Sequence, residues 1–397
     1  MSEFVVDCDT SSVAAFVIHK ADDCVKQGVW DIPELQAQKK NVNQAKAWMD
    51  SEYAINPRQF SSTVNIFRLD KYKNAIQQLT NAQNVTNAWI KALELLNHYK
   101  CIPRKAENFT YMGIGEFPGS FILAVNYAVS FVHIKNFKWI GASLLDINAE
   151  TKSPLEDAYK LYENYPNNWL MSPNNNGDVT SISNLLDCHE RYPNNVDVIT
   201  GDIGMNFEGN YGEEESVQAH ANVGQIASAL MMLKKGGISM TKMYSYFEPL
   251  TVSLLAVVTR VFDRIEMSKP MFSRPGNTET YLICIGYKGY EYSEKYIDLI
   301  MNRLRNWNME PLVSMECLND KFISSVINSS KVFSDITIST LNAENVEYHR
   351  MKGKSRREIQ DTNIFNEKNK EKLEMWISCN KPRPMDNRKK LKVKEKY

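Results

Sequence analysis

Short hydrophobic runs between positions 196 and 286 predict three strands and an intervening helix. The runs VDVIT, GISMTK and TYLICIG are rich in residues that favour strands, and turn formers or a charged residue bound each of them. Between the first two, Ile226, Leu230 and Leu233 recur at helical spacing, and the sequence KKGG predicts the end of that helix. Since a strand, a helix and a strand form a parallel crossover unit, Asp202 and Lys242 are predicted at the carboxyl edge, where open α/β sheets bind ligands.

A second strand-turn-helix pattern precedes this unit. The run NVTNAWIKALELLNHY predicts an amphipathic helix with Thr86 or Asn87 as its N-cap. The segment FTYMGIGEFPGSFILAVNYAVSFV predicts a strand, a glycine turn and a helix, and FKWIGASLL predicts another strand. The chain is therefore divided into a helical N-terminal extension (1–82), an α/β domain (83–292) and a helical C-terminal region with a basic tail (293–397).

Length and composition are those of a globular protein with a neutral overall charge. The 397 residues are 43% hydrophobic, enough for a full core, and 47 basic residues balance 47 acidic ones. The C-terminal sequence KPRPMDNRKKLKVKEKY departs from this balance because it is basic. A tail of this composition is usually solvated and disordered, and the alternative is that it contacts RNA phosphates.

The cysteines and histidines predict neither a disulfide framework nor a metal site. The seven cysteines include no C-x-x-C pair, and their odd number favours free thiols in a reducing compartment. The six histidines show no paired spacing of the kind that binds zinc. The N-terminus lacks a signal-peptide pattern, and the run LTVSLLAVV is shorter than the ~20 residues that a membrane span needs. A soluble, cytoplasmic protein without a metal cofactor is expected.

The turn GIGEFPGSF has the composition of a loop that approaches a ligand closely, since glycines leave room for such an approach. A tight turn without a ligand is the simplest alternative. The dinucleotide spacing G-x-G-x-x-G is missed because Gly119 falls one residue late, and a P-loop would need G-K-[ST] after the turn. The remaining ligand class is S-adenosylmethionine, whose amino acid and ribose parts are bound by backbone groups in such turns.

Together these motifs resemble those of FtsJ-like RNA ribose 2'-O-methyltransferases. The chain is similar to the mRNA cap methyltransferases, and most similar to the version encoded by large cytoplasmic DNA viruses such as African swine fever virus. The resemblance covers Gln83–Gly289 and rests on the motifs NAQNVTNAWIKALELLN, GEFPGSF, YPNNWLM, NNNGDVT, TGDIG, GGISMTK and SRPGNTETY.

The resemblance implies a Rossmann-like methyltransferase fold, with a mostly parallel seven-stranded sheet and helices on both faces. It implies S-adenosyl-L-methionine as the cofactor and RNA as the substrate. The implied reaction is methylation of a ribose 2'-hydroxyl, at the first transcribed nucleotide of capped mRNA (cap 0 to cap 1). Other capping or transcription proteins are expected partners, and a viral protein of this kind is expected in the host cytoplasm or the virion.

The family uses a Lys-Asp-Lys-Glu tetrad, and each member has a match in this sequence. The matches are Lys91 in the helix before the glycine turn, Asp202 in TGDIG, Lys242 in GGISMTK and Glu279 in SRPGNTETY, with Lys100 and Lys105 as less suitable first lysines. The implied cofactor-binding residues are Gly113, Gly115, Glu116, Phe117, Pro118, Gly119, Ser120, Ser143, Leu144, Asp178 and Asp202. Many relatives have an aspartate where this chain has Gly113, and Glu116 and Asp202 are the candidates to replace it.

RNA is expected to lie over the strand ends. The candidates for phosphate contacts flank Glu279 and are Arg274, Lys269 and Lys288. The candidates for stacking on a base or a cap are Tyr244, Tyr246 and Phe247.

Lys242 is assigned as the base that removes the hydroxyl proton. A lysine accepts a proton only when it is neutral, and its reference pKa is about 10.4. Burial, Lys91 and the positive sulfonium of the cofactor are expected to lower the pKa of Lys242, whereas Asp202 and Glu279 would oppose that shift. The alternative function is a catalytically weak methyltransferase fold that acts as an RNA-binding or scaffold subunit. A base methyltransferase is a third option, but the chain lacks the motif [DN]-P-P-[YFW].

Overall fold

A seven-stranded sheet forms the centre of the protein. The computed structural model describes residues 13–58, 60, 72–144, 157–171, 175–205, 207, 212–274, 276–354 and 363–393. The strands are β1 (Val13–Ile18), β2 (Lys105–Ile114), β3 (His133–Ala142), β4 (Val196–Gly201), β5 (Leu233–Met243), β6 (Phe262–Pro270) and β7 (Thr280–Tyr287). Their order across the sheet is β1-β6-β7-β5-β4-β2-β3. The three runs that predict strands at 196–286 fall in β4, β5 and β7.

The strand directions bring the predicted site residues to one edge of the sheet. β2 to β6 run in one direction, and β1 and β7 run against them, so the expected mostly parallel sheet is confirmed. Parallel strands end at a common edge, and the residues after β2, β3, β4 and β5 therefore lie side by side. The antiparallel β7 begins at the same edge, because Thr280 pairs with Met243.

Helices cover both faces of the sheet. They are α1 (Pro33–Ile55), α2 (Lys73–Thr80), α3 (Asn87–His98), α4 (Ser120–Val129), α5 (Leu161–Asn164), α6 (Ile182–Arg191), α7 (Glu214–Met232), α8 (Pro249–Val261), α9 (Tyr290–Arg305), α10 (Asp320–Met351) and α11 (Asn363–Asn380). One hydrophobic cluster packs α2 to α5 and α11 on one face, and a second packs α1 and α6 to α10 on the other. Of the helices in the described ranges, none is long and apolar enough to cross a membrane.

Two local predictions are wrong. The N-terminal extension 1–82 is not purely helical, because β1 pairs with β6 and adds an edge strand to the sheet. Sequence patterns report the preference of a segment for a strand but not the presence of a free sheet edge elsewhere in the chain. Helix α7 ends at Met232, and Leu233 already begins β5, so the KKGG sequence lies within the strand and not at the end of the helix.

A disulfide joins Cys24 to Cys317, which corrects the expectation of free thiols at these positions. The two residues are 293 positions apart, and no spacing rule could have paired them. Hydrogen bonds to their carbonyl groups help to hold them together, since Asp22 N–H donates to Cys317 O at 3.2 Å and the Arg260 guanidinium donates to Cys24 O at 2.6 Å. Within the described ranges, Cys101, Cys188 and Cys284 are buried free thiols, and Cys8 lies outside those ranges.

The basic C-terminal segment packs on the α/β domain as far as Val393, which corrects the expectation of a disordered tail. Met385 is buried, and its N–H donates to Thr80 O at 2.8 Å. Leu391 N–H donates to Gln83 Oε1 at 2.8 Å. The high lysine content of the segment predicts a solvated tail, because composition alone does not reveal that a few apolar residues pack against the domain.

Candidate active site

Two glycines shape the turn between β2 and α4. Gly115 has a φ of 66°, and a Cβ there would lie 2.5 Å from Ile203 Cγ1. Gly119 has a φ of 120°, and a Cβ there would lie 2.4 Å from Leu161 Cδ1. Any other residue at either position would strain the backbone and collide with a neighbour. The turn therefore needs glycine at position 115 to come this close to the loop after β4, and at position 119 to come this close to α5.

The carboxyl group of Glu116 occupies the space beside Gly113. Its Oε1 accepts hydrogen bonds from the N–H groups of Phe121 and Ile122, at 2.8 and 2.9 Å, and so satisfies donors at the start of α4. A Cβ on Gly113 would lie only 2.4 Å from Glu116 Oε2. Of the two candidates to replace an aspartate at position 113, Glu116 thus lies where that side chain would be.

Burial raises the pKa of Glu116 to about 8, although the N–H groups of Ile122 and Phe121 lower it and Asp202 raises it further. A buried carboxyl group with a pKa in this range is largely neutral at pH 7. A positive charge brought close to it would favour the ionised form. Glu116 is therefore able to respond to a cationic ligand.

A cavity of about 820 Å³ opens beside the turn, at the carboxyl edge of the sheet. The predicted cofactor residues that line it are Gly115, Glu116, Phe117, Pro118, Ser120, Ser143, Leu144, Asp178 and Asp202, whereas Gly113 and Gly119 do not. Three of these are acidic, and Lys73 and His220 also line the cavity. The buried His220 Nε2 has no hydrogen-bond partner in the part of the chain that the structure describes. The lining therefore suits a polar ligand that carries positive charge.

Ser143 and Asp178 stabilise two loops around this cavity. Ser143 Oγ accepts a hydrogen bond from Phe117 N–H at 2.8 Å. Asp178 Oδ1 accepts hydrogen bonds from the N–H and the hydroxyl of Thr180, at 2.9 and 2.7 Å. Leu144 is 59% exposed and adds an apolar contact at the rim.

The four residues of the predicted tetrad meet next to the cavity. Lys91 Nζ lies 2.8 Å from Glu279 Oε1. Lys242 Nζ lies 3.6 Å from Asp202 Oδ1 and 3.9 Å from Glu279 Oε2. Lys91, Lys242 and Glu279 are 8%, 8% and 7% exposed, so these charges interact largely out of water.

Helix α3 carries Lys91 to this cluster. Thr86 Oγ1 accepts a hydrogen bond from Trp89 N–H at 3.1 Å, which identifies Thr86 as the N-cap. Lys100 follows the end of α3 and is exposed, and Lys105 begins β2 at the amino edge of the sheet. Of the three candidate first lysines, the structure therefore brings only Lys91 to the other tetrad members.

The loop between β6 and β7 is held by side chains at both of its ends. Glu94, one helical turn after Lys91, accepts hydrogen bonds from Met271 N–H at 2.7 Å and Phe272 N–H at 3.3 Å. Ser273 Oγ donates to Glu279 Oε1 at 2.7 Å. Helix α3 thus fixes both the lysine and the loop that carries its partner carboxylate.

The charges in the tetrad correct one expectation. Burial alone would raise the pKa of Glu279, but Lys91 and Lys242 lower it to about 2. Burial alone would lower the pKa of Lys242, but Asp202 and Glu279 outweigh burial and hold that pKa above its ordinary value. The expected lowering of the Lys242 pKa is therefore wrong for the protein by itself, where two carboxylates lie near the ammonium group.

Lys269 is not a surface residue, which corrects its assignment to RNA phosphates. Its Nζ donates to Asn277 O and Glu279 O, both at 2.8 Å, and it is 8% exposed. Burial lowers the pKa of Lys269 to about 7, although Glu279 opposes that shift. Lys269 therefore holds the backbone next to Glu279 and does not point toward solvent.

The low pKa of Lys269 predicts a change of stability with pH. The group has an ordinary pKa of 10.5 and a folded pKa of about 7, so between these values the unfolded chain binds the proton more strongly. Stability therefore rises as pH increases from 7 to 10, by on the order of 1 kcal/mol per unit from this group. We expect the difference in unfolding free energy between wild type and Lys269→Met to grow over this range. A constant difference in urea titrations at pH 7, 8 and 9 would contradict the assignment.

Arg274 and Tyr244 remain candidates for RNA contacts. Arg274 is exposed on the loop that carries Glu279. Tyr244 is half-buried just after β5, and its ring meets Phe207 edge-on with the centroids 5.0 Å apart. Both side chains lie at the carboxyl edge of the sheet, on the same side as the tetrad.

The other three RNA candidates do not fit. Tyr246 and Phe247 are buried, and the Tyr246 hydroxyl lies 2.9 Å from Thr280 Oγ1. Lys288 follows β7 at the amino edge of the sheet and donates to Arg260 O at 2.5 Å. The eight residues of β7 separate Lys288 from the tetrad by about 25 Å, at ~3.3 Å per residue.

Two contacts around the tetrad were not predicted. Tyr281 OH donates to Asp202 Oδ1 at 2.8 Å. Strand alternation gave a usable signal, since residues 279 and 281 point to the same side of β7. Lys46 on α1 pairs with Glu214 at 2.7 Å and lies 3.4 Å from Thr278 Oγ1, beside Glu279. No local pattern indicates this contact, because Lys46 is far from both partners in sequence.

Several known proteins with similar sequences carry the names of methyltransferases. The model of the FtsJ-like methyltransferase family matches residues 84–287. An African swine fever virus protein named probable methyltransferase EP424R is 33% identical over 293 residues, which are 69% of this chain and 66% of that protein. Cap-specific mRNA (nucleoside-2'-O-)-methyltransferase 2 of Danio rerio is 26% identical over 324 residues, 78% of this chain and 42% of that protein.

Among solved structures, a ribosomal RNA methyltransferase from Plasmodium falciparum aligns with a TM-score of 0.33 and 19% identity, over 51% of this chain and 98% of that one. The matched segments span at most 66% of the length of the African swine fever virus and Danio rerio relatives.

Proposed function

The chain belongs to the FtsJ-like methyltransferase family, and from this premise we propose that it methylates ribose 2'-hydroxyl groups of RNA with S-adenosylmethionine. The observation that carries the proposal is the meeting of Lys91, Asp202, Lys242 and Glu279 beside a cavity of about 820 Å³. The proposed substrate is the first transcribed nucleotide of capped mRNA, in line with the name of the Danio rerio relative. The proposed setting is the cytoplasm, with other capping or transcription proteins as partners.

The cavity fits the proposed cofactor in size and charge. Its volume of about 820 Å³ lies within the range of ~300–1,000 Å³ that is typical of small-molecule sites. Glu116 and Asp202 would balance the positive charges of the methionine part, and Asp178 and Leu144 would contact the adenosine part. When bound, the cofactor supplies a reactive methyl group on a positively charged sulfur.

Lys242 is the proposed base, and the charge balance of the tetrad explains how it could lose its proton. With Lys242 protonated, the two lysines and two carboxylates sum to zero charge, and the pKa of Lys242 is raised. When the cofactor adds one positive charge, the four tetrad residues and the cofactor together carry a net charge of +1. Loss of the Lys242 proton removes that excess, so the neutral amine is favoured only in the loaded site.

The other tetrad residues are proposed to position Lys242 and the ribose hydroxyl. Glu279 accepts from Lys91 and Ser273 through Oε1 and lies near Lys242 through Oε2. Asp202 is fixed by the hydroxyl of Tyr281 at 2.8 Å. Because these groups are oriented before substrate arrives, they can align the hydroxyl without reorganisation during the reaction.

The alternative is a catalytically weak fold that binds RNA or serves as a scaffold subunit. Its motivation is the absence of an aspartate at Gly113 together with the extensive N- and C-terminal regions. The position of Glu116 over Gly113 weakens the first motive, since a carboxyl group is present in that space. The second motive stands until activity is measured.

The direct test is methyl transfer from labelled S-adenosylmethionine to capped RNA. We expect repeated turnover, and digestion with nucleases should leave a dinucleotide that resists cleavage because its ribose 2'-oxygen is methylated. Uncapped RNA of the same sequence serves as the control for cap dependence. Label in a base would contradict the ribose assignment, and cofactor binding without any transfer would support the weakly catalytic alternative.

A further inference from the structure

The C-terminal segment 381–393 forms a surface feature that the tetrad and the cavity do not explain. We call this segment the C-terminal strip. Arg383 is fixed by Tyr127, whose hydroxyl donates to Arg383 O at 2.8 Å and accepts from Arg383 N–H at 3.0 Å. Asn126 Nδ2 donates to Lys389 O at 3.1 Å. Main-chain groups thus hold the strip along α4, which leaves most of its side chains at the surface.

The exposed side chains of the strip are mainly cationic. It contains Lys381, Arg383, Arg388, Lys389, Lys390 and Lys392, against one acidic residue, Asp386. Asp386 is paired with Arg388 at 2.5 Å. Lys381, Arg383 and Lys392 are exposed and have no carboxylate within 4.0 Å in the described ranges. The protein is neutral overall, so this cluster is a local concentration of positive charge.

The strip leads toward the mouth of the cavity. Gln83 Nε2 donates to Leu391 O at 3.0 Å, and Thr86, three residues after Gln83, lines the cavity. Three residues span at most about 11 Å, so Gln83, whose side chain binds Leu391, has its Cα within that distance of the Cα of Thr86. Lys389, two residues before Leu391, donates through its Nζ to Ser130 O at the far end of α4, and the first residue of that helix, Ser120, also lines the cavity.

We propose that the C-terminal strip binds the phosphate backbone of RNA that extends beyond the nucleotides held at the tetrad. This inference rests on the proposed RNA substrate. A row of cations fixed by main-chain hydrogen bonds binds a flexible polyanion without the loss of conformational entropy that a disordered tail would undergo. Its continuity with the cavity favours RNA over an acidic protein as the ligand.

Removing three exposed cations tests the proposal. The variant carries Lys381→Gln, Arg383→Gln and Lys392→Gln, and it spares the lysines that help to dock the strip. For a capped RNA of about 20 nucleotides we expect affinity to fall by at least tenfold at 0.1 M salt, on the order of three lost phosphate contacts. The slope of log Kd against log salt should become shallower by about 2, at ~0.7 for each lost contact with a single strand.

A matched control and a short substrate separate the possible results. The control carries Lys105→Gln, Lys135→Gln and Lys235→Gln, three exposed cations at the amino edge of the sheet. A capped tetranucleotide and S-adenosylmethionine should bind the strip variant as they bind wild type. The inference would be overturned if the control variant lost as much affinity for the long RNA as the strip variant, or if the strip variant bound the long RNA as tightly as wild type. Because the assay measures RNA binding and not methyl transfer, a lack of methyltransferase activity would not by itself contradict the proposed role of the strip.

Discussion

Replacing Lys242 by alanine is expected to lower kcat for RNA methylation by about 10³-fold, within the 10²–10⁴ range for loss of a general acid or base. Lys242 lies within 4 Å of both Asp202 and Glu279. Among the residues that the structure describes, no other lysine pairs with both of these carboxylates. Single-turnover methyl transfer measures the effect on chemistry. A thermal shift with S-adenosylmethionine should show that the variant still binds the cofactor.

The conservative variant Lys242→Arg separates the charge from the proton transfer. Arginine keeps the positive charge beside the two carboxylates, but its pKa of more than about 12 prevents it from accepting a proton at neutral pH. We therefore expect Lys242→Arg to fold as well as wild type and to be as inactive as Lys242→Ala. Retention of more than a tenth of the activity would show that the charge of Lys242, and not its proton, serves the reaction.

The rate of the wild type should also depend on pH in one direction. The carboxylates raise the pKa of Lys242, so the amine is protonated over the lower part of the pH range. A group that must be neutral then limits kcat/KM for the cofactor increasingly as pH falls, because kcat/KM reports the pKa values of the free protein. The logarithm of kcat/KM for S-adenosylmethionine should therefore rise as pH increases from 6 to 9. This slope should be missing from the residual activity of Lys242→Ala.

Introducing an aspartate at position 113 should impair the protein and not improve it. The first carbon of the new side chain would lie 2.4 Å from Glu116 Oε2, so one of the two carboxyl groups must move. Displacing Glu116 would break its hydrogen bonds to Phe121 N–H and Ile122 N–H at the start of α4. We expect Gly113→Asp to lose about 1–3 kcal/mol of stability, as overpacked sites do. Affinity for S-adenosylmethionine should fall at least tenfold, which is about 1.4 kcal/mol.

The double variant Gly113→Asp/Glu116→Ala tests whether the two positions share one space. Removing the glutamate side chain makes room for the aspartate, so the double variant should bind the cofactor more tightly than either single variant. Calorimetric titration of wild type, both single variants and the double variant gives the coupling energy directly. Effects that simply add would show that Glu116 does not stand in for a carboxyl group at position 113.

Local sequence patterns predicted part of the central site, because Asp202 and Lys242 lie at the ends of strands. Asp202 follows a buried run and Lys242 ends another, so strand period and parallel topology were enough to bring them together. Lys91 needed the family resemblance, because its helix and N-cap show where it lies but do not mark it as a site residue. Glu279 needed the motif around it, since a carboxylate before a strand is ordinary on its own.

The errors arose where contacts depend on distant parts of the chain. In the sequence, Lys269 resembles a surface cation next to the site. In the structure it is buried, because its ammonium group donates to the backbone carbonyls of Asn277 and Glu279. The pairing of Cys24 with Cys317 and of β1 with β6 joins segments that are more than 200 residues apart. Sequence periodicity carries no information about such partners.

The pairing of β1 with β6 shows that the segment that folds together is longer than the segment that the family model matches. The family model begins at residue 84, yet the sheet reaches back to Val13 and the hydrophobic packing reaches forward to Met385. A fragment cut at the family boundaries would expose the hydrogen-bonding edge of β6, a site for aggregation. It would also leave Glu214 buried without Lys46. The segments outside residues 84–287 therefore complete the sheet and the buried charge pair on which the folded molecule depends.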